Sequence, residues 1–86
     1  MSEQLPTINQ LQWQCRRGLL ELDYLFAEFL QAHYGGLDDK LKQDFVKLLT
    51  FADQDLQHWL LYEETPTDPS MSAIIARIRQ SRLPTA

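Results

Sequence analysis

The stretch Leu22-Asp23-Tyr24-Leu25-Phe26-Ala27-Glu28-Phe29-Leu30-Gln31-Ala32-His33 decides the fold. Leu22, Leu25, Phe26, Phe29, Leu30 and His33 recur at i, i+3, i+4 and i+7, the spacing of a helix with one buried face. Gly35-Gly36 stops the pattern, as glycine does past a helix C-terminus. Upstream, Thr7 follows Pro6 as a candidate N-cap, and Ile8, Leu11 and Cys15 fall on one face of an earlier helix. An unbroken helix from Thr7 to Tyr34 would be about 42 Å long. A compact chain of this size has a radius of gyration near 12 Å, so its diameter is about 30 Å and a break is required. Gly18 is the residue of that stretch with a helix-breaking preference, about 1 kcal/mol relative to alanine, and the bend is placed there. Arg17 and Glu21 then flank a corner.

Downstream, Asp38 can cap a third helix with apolar positions Leu41, Phe45, Leu48, Leu49 and Ala52. Asp53 offers a second cap, for a short fourth helix carrying Leu56, Trp59 and Leu60 that ends before Thr65-Pro66. Asp68-Pro69 places an N-cap ahead of a proline at the first helical position, and Met71, Ile74, Ile75 and Ile78 mark a fifth helix closed by Pro84. No stretch alternates with period two, and no hairpin turn or internal repeat occurs. The expected fold is all-α: a bundle of about five helices in one domain over 1–86, with an ordered core about 7–82.

At 86 residues the chain builds one core, with little room to enclose a cofactor. Hydrophobic residues at 44% and charged residues at 23% are those of a globular domain rather than a disordered one. A formal charge of −4 argues against a partner recognised through phosphates. The acids concentrate in residues 38–68, and the only basic segment is the tail with Arg77, Arg79 and Arg82, which a helix C-terminal dipole already accounts for. The single cysteine, Cys15, forms no internal disulfide and fits a reducing compartment. The start lacks a secretory h-region and an Arg-rich transit pattern, and no eighteen apolar residues run together. A cytoplasmic protein is expected.

Candidate chemistry is sparse. One Cys and two His at unrelated spacings do not suggest a zinc site. His33 and His58 read as structural. Arg16 and Arg17 would favour a Cys15 thiolate, but Cys15 sits on an apolar face, where free cysteines are buried and inert. Glu21, Asp23 and Glu28 read as a solvated face with acids near a helix N-terminus. With no catalytic constellation and no glycine-rich phosphate loop, a protein-binding, non-enzymatic role is expected. Trp13 falls off the apolar stripe. Beside Arg16 and Arg17 it has the composition of an interface hot spot, with a core position the equal alternative. Trp59 keeps the apolar spacing and reads as core.

The run Trp13-Gln14-Cys15-Arg16-Arg17-Gly18-Leu19-Leu20-Glu21-Leu22-Asp23, with its Arg-Gly-x-x-Glu pattern, resembles the signature of the SdhE-type FAD assembly factors, also called succinate dehydrogenase flavinylation factors. Leu48-Leu49 and Asp53-Gln54-Asp55-Leu56-Gln57-His58-Trp59-Leu60 resemble the family's second characteristic stretch, and the similarity covers roughly residues 8–80. The positions around Trp13 are often basic in that family, whereas this chain has Gln10, Gln12 and Gln14. The resemblance implies a chaperone-like factor that binds the flavoprotein subunit of succinate dehydrogenase, and in some bacteria of fumarate reductase. It would promote covalent attachment of FAD to a histidine of that client, with no cofactor held stably by the factor and FAD handled through the partner. Carried over by position, Arg17, Gly18 and Glu21 are the partner-binding signature, and Trp13 and Arg16 join them on the hot-spot argument. A local alternative stands beside this: Arg17 and Glu21 form an i, i+4 pair worth about 0.2–0.5 kcal/mol, and Gly18 merely permits the bend. The chain is expected to act as a monomer. Two other functional classes compete: a regulatory binder that sequesters its target as an antitoxin does, and a helix-turn-helix nucleic-acid binder, which the acidic balance opposes.

Overall fold

Thr7 starts the first helix, α1 (Ile8–Gln14), with a reciprocal cap. Its hydroxyl accepts from the Gln10 N–H at 3.2 Å, while Gln10 Oε1 accepts from the Thr7 N–H at 3.0 Å. Two of the N–H groups that a helix start leaves without partners are thereby satisfied. The computed structural model describes residues 6–82. Over that range the chain continues through α2 (Leu20–Ala32), a 3-10 turn (Tyr34–Gly36), α3 (Asp39–Leu48), α4 (Asp53–Leu60), a second 3-10 turn (Pro69–Met71) and α5 (Ser72–Arg82), with no strand among the described residues.

The bend required by length is present at Gly18, with φ +82. The longest dimension is 38 Å and the radius of gyration 12.3 Å, so an unbroken helix of about 42 Å at 1.5 Å per residue would overrun the molecule. Asp38 caps α3 by accepting from the Leu41 N–H at 2.8 Å. Asp53 differs from expectation: Ala52 is the N-cap of α4, without a side-chain bond, and Asp53 is the first helical residue. Ala52 therefore belongs to no face of α3, which ends at Leu48. Asp68 does accept from the Ser70 N–H and hydroxyl, at 3.0 and 2.7 Å, but the turn it starts is 3-10, and Met71 lies in that turn ahead of α5. Pro84 lies outside the described residues.

One hydrophobic cluster joins all five helices. Phe45 of α3 is its aromatic hub, with ring centroids 6.1 Å from Phe26, 5.4 Å from Phe29 and 5.4 Å from Tyr34. Ile74, Ile75 and Ile78 of α5 are fully buried, and α5 packs on α2, α3 and α4. Each such side chain contributes about 1.5–3 kcal/mol by leaving water. Trp59 is buried, as its spacing implies, with Phe51 edge-on at 5.2 Å. None of the described helices is long and apolar enough to cross a membrane.

Candidate functional site at the corner between α1 and α2

α1 ends on Cys15, and Arg16, Arg17 and Gly18 carry the chain around the corner to α2. A positive φ near that of Gly18 crowds any L side chain, which is the physical need for glycine here. Space is not the reason, since a Cβ added at Gly18 would meet nothing within 4 Å. The N-cap position of α2, Leu19, provides no side-chain acceptor. Asp23 instead reaches back from the first turn of α2, accepting from the Arg17 N–H at 2.5 Å and the Gly18 N–H at 3.2 Å. An acid expected on a solvated face therefore closes the corner. The reason lies in geometry: the turn leaves two donors pointing at the start of α2, where a carboxylate is also favoured by the helix dipole.

Arg17 is turned inward. Its Nη2 donates to the Leu49 carbonyl, and its Nη1 to the Phe51 carbonyl and to Asp53 Oδ1, both at 3.3 Å. Only 15% of its side chain is exposed, and Nε is buried without a hydrogen-bond partner. The local pair with Glu21 does not form: the carboxylate facing Arg17 is Asp53, from another helix, and Glu21 is exposed.

Around this fixed corner the surface is apolar and aromatic. Trp13, Leu20 and Tyr24 are 72%, 85% and 70% exposed, and the Arg16 guanidinium lies over the Trp13 ring at 5.7 Å. Ile8, Arg16, Leu20, Tyr24, Ala27 and Gln31 help line an open groove between α1 and α2. Of the residues singled out by sequence, Trp13, Arg16, Gly18 and Glu21 are thus exposed, Trp13 and Arg16 touch, and Arg17 is withdrawn. Leu20 and Tyr24 were missed. Their signal was a second stripe on α2, Leu20, Tyr24, Ala27 and Gln31, running beside the buried one with the same helical spacing.

The other candidates stay local. Cys15 is buried, and burial pushes its thiol up to about 11 despite the nearby Arg17, so it is protonated and unreactive at neutral pH. His33 stacks on Phe29 at 5.5 Å, and His58 Nδ1 lies 3.0 Å from Glu64 Oε1. No group of three or more metal-ligating side chains occurs among the described residues. In the basic tail, Arg79 does more than answer a helix dipole: its Nε donates to the Trp59 carbonyl at 2.7 Å and its Nη2 to the Glu64 carbonyl.

Comparison with known proteins gives one consistent result. The family described as "Flavinator of succinate dehydrogenase" matches residues 9–82. The FAD assembly factor SdhE of Shewanella oneidensis is 36% identical over 81 residues, which is 94% of this chain and 99% of that protein. The proteins of the same name from Haemophilus ducreyi and Photobacterium profundum are 35% and 38% identical, covering 84% and 80% of this chain and 88% and 78% of their own lengths.

Proposed function

Because the chain belongs to the family of succinate dehydrogenase flavinators, we propose that it is an assembly factor that promotes covalent attachment of FAD to the flavoprotein subunit of succinate dehydrogenase by binding that subunit. The observation that carries this reading is the family match over residues 9–82, which includes the Arg-Gly-x-x-Glu signature at the α1–α2 corner. Trp13, Leu20 and Tyr24 supply apolar anchors of the kind that dominate binding energy, with Arg16 and Glu21 as polar rim. The flavoprotein subunit of fumarate reductase is a further client. The factor works as a monomer in the cytoplasm.

FAD stays with the client throughout. Of the donors at this corner, the Arg17 and Gly18 N–H groups already donate to Asp23 and the Arg17 guanidinium is engaged internally, which favours a flavin diphosphate held by the client. The protonated, buried Cys15 supports assistance rather than covalent catalysis by the factor. The chemistry of the new bond then belongs to the flavin and its client, and the factor contributes by holding the client in a competent arrangement.

Co-expression with an apo flavoprotein subunit, followed by denaturing electrophoresis and flavin fluorescence, tests the reading. Covalent flavin above the no-factor control is expected. Equal fluorescence with and without the factor would sink it. Glu21→Ala should lower the signal with circular dichroism unchanged, because its side chain is exposed.

A further inference from the structure

Arg17 is the first residue of the signature, yet its guanidinium faces the interior. Leu49 and Phe51 lie just past the end of α3, where no further helical turn supplies N–H donors to their carbonyls. Arg17 donates to both, and Asp53, in the first turn of α4, takes a second bond from the same Nη1. One side chain thereby ties the α1–α2 corner to the connection between α3 and α4. On its other side, the Asp23 carboxylate holds the main-chain N–H groups of Arg17 and Gly18. Residue 17 is fixed by backbone and side chain together. A planar fork suits two carbonyls and a carboxylate, which a lysine ammonium on a flexible stem does not match.

From this we infer that Arg17, Asp23 and Asp53 are positioning residues for flavinylation: they hold the corner in the one arrangement that presents Trp13, Leu20, Glu21 and Tyr24 to the client, and the Arg17 guanidinium does not itself contact the client. The inference rests on the assembly-factor reading. It assigns a role to Asp23 and Asp53, which lie outside the Arg-Gly-x-x-Glu pattern. For Arg17 to reach a client, its bonds to Leu49, Phe51 and Asp53 would have to break, leaving two carbonyls and a carboxylate without their donor.

The near-isosteric variants Asp53→Asn and Asp23→Asn test this in the full chain, by titrating each factor against a fixed amount of apo flavoprotein subunit. Loosening the corner lowers the fraction of competent molecules, so the concentration giving half-maximal flavinylation should rise roughly tenfold while the maximum is retained. In the same variants, hydrogen exchange of the Arg17 and Gly18 amides, which Asp23 holds, should accelerate while that of the α5 amides stays as in wild type. The double variant Arg17→Ala/Asp53→Asn should be no worse than Arg17→Ala alone, as expected for groups acting as one unit. Wild-type titration curves for both Asp→Asn variants, or effects of Arg17→Ala and Asp53→Asn that multiply, would overturn the inference and return Arg17 to client contact. Equal acceleration in α5 would also overturn it, as a general loss of stability. Should the wild-type chain give no flavinylation, the functional reading fails, a result distinct from any difference among variants.

Discussion

Two arginines in this molecule do the same elementary work on different footings. Arg17 lends its N–H groups to the Leu49 and Phe51 carbonyls just past α3, and Arg79 to the Trp59 carbonyl in the last turn of α4 and the Glu64 carbonyl in the loop beyond it. Each meets carbonyls at or just beyond a helix C-terminus, with a cation where the dipole favours one. Arg79, however, projects from the C-terminal half of α5, a helix already fixed by Ile74, Ile75 and Ile78. Its bonds finish a loop. Arg17 projects from a corner that is not helical, and besides two carbonyls it engages Asp53 while Asp23 holds its backbone. The same bond chemistry therefore decorates a rigid base in one case and creates the rigidity in the other.

Mutation should separate the two. Arg17→Ala strands two carbonyls and a carboxylate, and is expected to cost roughly 2–4 kcal/mol in denaturant unfolding. Arg79→Ala should cost about 1–2 kcal/mol, with flavinylation per folded molecule near wild type, because none of its bonds reaches the α1–α2 corner. Equal losses of flavinylation in both would erase the contrast.

The buried thiol beside Arg17 gives a smaller, pH-dependent effect. The folded Cys15 thiol is pushed from its ordinary 9.0 up to about 11, so between those values the unfolded chain has lost the proton that the folded chain keeps. Its contribution is fully present below about pH 9 and declines as pH rises toward 11. Tyr34, also raised by burial, acts in the same direction. Comparing wild type with Cys15→Ala across that range isolates the thiol, and the variant should show the shallower alkaline decline. Smallest of all, Trp13→Ala should change stability by less than about 0.5 kcal/mol, since the ring is 72% exposed, while weakening capture of the flavoprotein subunit in a pull-down.

What sequence could and could not reveal follows the same division between local and distant contacts. Helix periods, the Thr7 and Asp38 caps and the Gly18 bend were legible because each depends on neighbours within a turn. The five helices and the buried Trp59 followed from them. Spacing placed Arg17 beside Glu21, but its partner is Asp53, 36 positions away, and no local pattern encodes such a pairing. An aspartate before an apolar run suits an N-cap, and only the folded arrangement shows the Asp53 carboxylate taken by Arg17 at the α1–α2 corner. Asp23 resembled any acid in a first turn until the corner donors were in place. Leu20 and Tyr24 were within reach of the sequence, obscured by the stronger stripe alongside them.

Gly18 imposes a condition of handedness rather than size. With φ +82, the corner should accept a D-alanine at this position more readily than an L-alanine, although the two side chains have the same volume. A chain of 86 residues is within reach of chemical ligation, with Cys15 offering a junction three residues before the site. The mirror-image residue would keep the turn while adding a methyl group at the glycine position. It would thereby distinguish a glycine kept for the shape of the factor from one kept so that a client's backbone can lie against it.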